Sequence, residues 1–142
     1  IHTDNLSTLI KDVDIVLDGT DNFESRFEIN KVCVDYKKPL VSAAVIRFEG
    51  QVSVFKGYEK DRPCYQCLYT EEGDDNESCV QSGVLAPVVG LIGTIQALQT
   101  IKVILSLGDE LCGTLLLVDG LDLSFRKVKI GKDLKCPICN SN

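Results

Sequence analysis

Two pairs of cysteines share one spacing, "CYQC" at Cys64 and Cys67 and "CPIC" at Cys136 and Cys139. A C-x-x-C turn sets two thiolates on one side of a metal ion. Two such turns complete the tetrahedral four-sulfur set of a closed, structural zinc site, with Zn–S of about 2.3 Å. Such a site would tie a long loop to the C-terminal tail. The competing reading is two local redox pairs, or thiols with no common task. A catalytic zinc is disfavoured: the only histidine is His2, and the pattern leaves no open ligand position.

A second candidate is "DGTDN", residues 18–22, at the end of a short apolar run. In a parallel α/β sheet, ligands bind outside the carboxyl ends of the strands. Asp21 there could hold Mg²⁺, a hard cation that takes carboxylate and phosphate oxygens, and Asn22 could hydrogen-bond a nucleotide. The plainer reading is a turn with a helix N-cap. Arg26 and Asn30 follow on the same helix face as Asn22; Arg26 is either a surface charge or a support for the site. The third candidate is Cys79 in "NESCVQSG", where a thiolate near a helix N-terminus is favoured by the backbone dipole and covalent chemistry would suit the place. The alternative is an inert loop or buried cysteine. Cys33 and Cys112, among apolar neighbours, are read as inert.

Positioning these groups requires a sheet and helices. Residues 5–12 read as an amphipathic helix with Leu6, Leu9 and Ile10 on one face. Residues 14–22 read as a strand buried on both faces, and 23–38 as a helix stopped by Pro39. Residues 39–46 are expected to be a second buried strand, and 50–56 a strand alternating like an exposed face, with "FEG" as the turn between them. Residues 57–79 are polar and acidic, a long loop carrying the first cysteine pair. A helix from Pro87 to Leu107 follows, with Pro87 in its first turn; Gly90 and Gly93 would weaken it unless something packs closely there. Residues 113–120 and 124–130 read as further strands. Strand–helix–strand predicts a parallel βαβ unit and the later strands an antiparallel extension, hence a mixed-sheet α/β fold in a single domain over 1–142.

The composition narrows the function. A net charge of −6 without a Lys/Arg-rich run argues against a nucleic-acid surface. The longest apolar run, 83–107, contains Thr94, Gln96, Gln99, Thr100 and Lys102, so a buried helix of a soluble protein is expected and no membrane association. The seven cysteines are an odd number and no signal peptide is seen, which points to a reducing compartment, the cytoplasm, where paired C-x-x-C motifs indicate metal or redox chemistry. The chain has no Met and opens on Ile1, as a piece of a longer product would.

Taken in order, "LDGTDNFESRFEIN", "PLVSAAVIRFEGQVSVF", "PCYQCL", "SCVQSGVLAPVVGLIGTIQALQTIK" and "CPIC" resemble the MoeB/ThiF family, bacterial relatives of ubiquitin-activating enzymes. The resemblance covers essentially the whole chain. It implies the C-terminal part of a Rossmann-like activating-enzyme fold and an adenylyltransferase. Such an enzyme binds Mg·ATP and the Gly-Gly tail of a ubiquitin-like sulfur carrier, MoaD-like or ThiS-like, forms an acyl-adenylate, and allows thiocarboxylate formation for molybdopterin or thiamin synthesis. By position, Asp21 matches the family's Mg·ATP aspartate and Asn22 the asparagine beside it. Cys64, Cys67, Cys136 and Cys139 match its zinc ligands, and Cys79 matches a cysteine that links covalently to the carrier in some members. A homodimer and a separate sulfur-donor protein are also implied. The family's Gly-rich nucleotide loop, ribose-binding acid and catalytic arginine and lysine have no counterpart in these residues. The alternative is a catalytically incomplete, zinc-stabilised module that binds a ubiquitin-like protein.

Overall fold

The structure is a computed structural model, and it describes residues 3–70 and 83–140. Helix α1 (Thr3–Ile10) precedes strand β1 (Val16–Asp18), helix α2 (Phe23–Asp35), and strands β2 (Leu40–Ile46) and β3 (Glu49–Phe55). A 3₁₀ turn at Tyr65–Cys67 is followed by helix α3 (Ala86–Leu105) and strands β4 (Thr114–Asp119) and β5 (Ser124–Lys129). The sheet order is β1-β2-β3-β4-β5. β1 and β2 are parallel, with Val16 opposite Leu40 and Asp18 opposite Ser42. The other three pairings are antiparallel. The mixed α/β sheet is therefore present, and its parallel part is the β1–α2–β2 unit.

Side-chain alternation distributes the strands' residues between two cores. Val41, Ala43, Val52 and Val54 face α3, where Val88 and Ile92 meet them with Leu116 and Val118. Leu40 and Phe55 face the other way, toward Leu6, Ile10, Ile29, Val32 and Cys33 of α1 and α2. β3 is central and mostly buried, not the exposed-face strand its alternation suggested, because α3 covers Val52 and Val54 on one face and the α1–α2 core takes Phe55 on the other. The turn before it is Arg47–Phe48, with Arg47 at φ 53°, one residue earlier than "FEG".

Other expectations are corrected. Leu9 is exposed while Leu6 and Ile10 are buried, because the helix face that meets α2 is narrower than the apolar stripe. β1 is shorter than its motif and ends the sheet; Leu17 is exposed and Asp18 is buried. Helix α3 has the length and hydropathy of a membrane span, yet it lies on β2 and β3 and buries only Val88, Ile92 and Gln99. Nothing among the described residues packs within 4 Å of a side chain placed at Gly90 or Gly93. At Gly50 such a side chain would meet Ile92, so it is the sheet glycine that allows α3 its close approach.

Candidate metal centre and cleft

The four paired cysteines converge. Their sulfurs all lie within 4.8 Å of one another. Individual separations are 3.6 Å for Cys64–Cys136, 3.9 Å for Cys64–Cys67 and 3.4 Å for Cys67–Cys139. A tetrahedral ion with Zn–S of about 2.3 Å has sulfur–sulfur edges of about 3.8 Å. The set fits that tetrahedron, and the separations are far too long for disulfides.

Local hydrogen bonds build each half. The Cys67 N–H donates to the Cys64 carbonyl at 3.1 Å, closing the first turn. In the tail, the Cys136 N–H donates to the Asp133 carbonyl at 3.1 Å and the Asn140 N–H to the Cys136 carbonyl at 3.3 Å. Lys132 Nζ fastens the tail to the carbonyls of Gly57 and Glu59, at 3.3 and 3.0 Å. Val34 of α2 packs against the cluster.

The thiols are electrostatically coupled. Cys67 is pushed toward thiolate, foremost by the hydrogen bond it shares with Cys64 and against the effect of burial. Cys64 is pushed the other way, foremost by that bond and then by burial, while a hydrogen bond from Asn30 favours its thiolate. Cys139 is raised, first by burial. Cys33 and Cys112 are buried thiols raised chiefly by desolvation, consistent with inert cysteines.

At the carboxyl ends of β1 and β2 an open cleft of about 420 Å³ is lined by Thr20, Asp21, Arg26, Ala44, Gly93 and Gln96, among others. Asp21 is exposed at its rim, with Asn22 Nδ2 3.3 Å from one carboxylate oxygen. Asn22 is also the N-cap of α2, its Oδ1 accepting from the Ser25 N–H at 2.8 Å. Cys79 lies outside the described residues.

Two residues that sequence reasoning left aside or undecided anchor this loop. Asp18 and Arg26 form an ion pair at 3.4 Å with side chains 1% and 7% exposed. Asp18 accepts from the Thr20 N–H at 2.9 Å, the Thr20 hydroxyl at 2.7 Å and the Ser42 hydroxyl at 3.1 Å. Arg26 donates to Ser42 Oγ at 3.3 Å and to the Ala43 carbonyl at 3.1 Å, and also to the Thr20 carbonyl. A buried ion pair survives only when such bonds satisfy its remaining donors and acceptors. Arg26 is thus a support and not a surface charge. From α3, Gln96 Nε2 reaches the carbonyls of Asp18 and Val41, at 2.8 and 2.9 Å, and clasps the ends of the parallel strands. The available signal was the pair of amides, Gln96 and Gln99, within an apolar helix.

One helix connects cleft and cluster. Arg26, Asn30 and Val34 follow one another at four-residue steps along α2. Arg26 lines the cleft, and Asn30 and Val34 sit at the cysteine turn.

Residues 1–138 match the ThiF family. The chain is 46% identical over 135 residues to the molybdopterin-synthase adenylyltransferase of Haemophilus influenzae, covering 95% of this chain and 55% of that protein. It is 40% identical over 134 residues to the enzyme of the same name from Escherichia coli, covering 94% and 53%. It is also 43% identical over 145 residues to the adenylyltransferase and sulfurtransferase MOCS3 of Culex quinquefasciatus, covering 100% and 33%. The chain thus spans about half the length of the bacterial relatives. Among solved structures, E. coli MccB matches with a TM-score of 0.80 at 16% identity, over 99% of this chain and 44% of that one; at that identity the likeness is one of fold.

Proposed function

The chain belongs to the ThiF family, and on that premise we propose that it is the C-terminal part of an adenylyltransferase acting on a ubiquitin-like sulfur-carrier protein. The observation that carries the reading is Asp21, exposed at the carboxyl end of the parallel strands beside an open cleft, in a chain whose relatives are named adenylyltransferases. A carboxylate of the carrier's C-terminal glycine would attack the α-phosphorus of ATP. An acyl-adenylate forms as the bond to pyrophosphate breaks, and a sulfur supplied by a separate donor protein then displaces AMP. The relatives' names favour the molybdopterin branch over the thiamin branch.

In this reading Asp21 would hold Mg²⁺, which when bound neutralises phosphate charge, and Asn22 holds the start of α2 beside the phosphates. Asp18, Arg26 and Gln96 keep the loop rigid, so that little reorganisation is needed at the reacting group. Cys64, Cys67, Cys136 and Cys139 would hold a structural zinc that ties the tail to the segment after β3. Where Cys79 takes part, its thiolate would displace AMP first, giving a thioester with the carrier from which the donor's sulfur then displaces Cys79. A homodimer belongs to the same reading, and the exposed Leu98, Ile101, Ile104 and Leu105 of α3 offer apolar area for it. A zinc site of reduced thiols fits the cytoplasm.

The test is carrier-dependent exchange between pyrophosphate and ATP in the full-length protein. Asp21→Ala is expected to abolish exchange while zinc content stays at parent level. Near-normal exchange would remove Asp21 from the site, and a full-length parent that binds carrier without exchange would favour the binding module.

A further inference from the structure

Asn30 has no task in the chemistry above, yet it is among the most deeply buried polar residues, 1% exposed. Its polar atoms all turn toward the first cysteine pair. Oδ1 accepts from the N–H of Tyr65, the residue after Cys64, at 2.9 Å. Nδ2 lies 3.4 Å from Gln66 Oε1, so the amide engages both residues between Cys64 and Cys67. The N–H groups that open a helical turn have no partner within it, and one left unpaired at this burial is destabilising. Asn30 supplies the partner from a different element.

We infer that Asn30 is an outer-shell positioning residue of the four-cysteine metal site, holding the Tyr65 N–H and the Gln66 side chain so that the 64–67 turn is set for the metal. The inference rests on the zinc reading above. Outer-shell partners of metal ligands are typically worth about 10–100-fold in metal affinity. Asn30→Asp keeps an acceptor for the Tyr65 N–H but places a carboxylate where the amide donor faces Gln66 Oε1, within the turn that carries two of the thiolates. Asn30→Ala removes both.

The experiment uses the full-length protein loaded with zinc and follows release to a chromophoric chelator. Cobalt(II) is substituted in parallel, because its visible absorption reports the thiolate ligand set. Asn30→Asp is expected to release zinc about 10-fold faster than the parent with an unchanged far-UV circular dichroism spectrum, and Asn30→Ala faster still. Val32→Ala, which removes buried packing from the same helix in the core away from the sulfurs, should release at nearly the parent rate. Release by a folded Asn30→Asp at the parent rate overturns the inference, as does equal acceleration in Val32→Ala. Should Asn30→Ala fail to fold, Asn30→Asp decides alone. A parent that takes up no zinc overturns the zinc reading itself, before any variant is compared.

Discussion

Gly57 sits under the cysteine cluster, and replacing it with alanine is a sharp test of the geometry. A Cβ built there lies 2.4 Å from Cys64 Cβ, 3.1 Å from Cys139 Cβ and 3.1 Å from Val34 Cγ2. Ordinary carbon–carbon contact is about 3.5–4.0 Å, so the first approach is too close by at least about 1 Å. The obstructing atom is not the free end of a flexible chain: Cys64 Cβ carries the sulfur directly. Moving it by that amount displaces a ligand several times further than the tolerance of about 0.2 Å on metal–ligand distances. Val34 and Cys139 close the other ways out. Overpacking of this kind costs about 1–3 kcal/mol; a loss of about 2 kcal/mol lowers Tm by roughly 4–8 °C in a chain of this size. Gly57→Ala should therefore melt several degrees lower in saturating zinc and hold zinc more weakly. Gly131→Ala is the control, since nothing lies within 4 Å of its new Cβ, and it should leave both quantities near parent values. A Gly57→Ala protein that melts within a degree of the parent at full zinc occupancy would refute the packing of that segment against the cysteines.

Asp18→Ala should cost about 3–5 kcal/mol in urea unfolding, because it leaves the Arg26 charge buried without a counter-ion; a loss below about 1 kcal/mol would show that the pair does not anchor the loop. Cys33 is pushed up to about 12 from 9.0, foremost by burial and then by the Asp18 carboxylate. A folded pKa above the unfolded one means that this thiol's contribution is fully present below pH 9 and is lost as pH rises toward 12. Iodoacetamide at pH 8 should therefore leave Cys33 unmodified in the native protein and modify it in urea, as read by peptide mass spectrometry; rapid native modification would contradict its burial.

Much of the architecture was legible because it depends on local pattern. The β1–α2–β2 unit, the antiparallel strands that follow and the helix opening at Pro87 are carried by runs of apolar residues, capping chemistry and proline, all of which act within a few residues. The edges of these elements were less legible. β1 was overread because "DIVLDGTDN" continues in small and polar residues, and only its pairing with β2 ends it at Asp18. β3 was misjudged because alternation on a strand does not say whether helices cover both of its faces.

For the site, the sequence by itself determined the ligand types and their grouping: two C-x-x-C pairs, an acidic turn at a strand end, and the capping role of Asn22. Ligand chemistry is a property of residue type and short spacing, so it survives without coordinates. Only the tertiary structure decided that the four sulfurs stand at tetrahedral separations, that Asp18 and not Arg26's solvent exposure explains Arg26, and that Gln96, Asn30 and Gly57 serve the site from other elements. These are contacts between segments far apart in the chain. An amide or a glycine carries no mark of its partner until the fold brings that partner within a few ångströms.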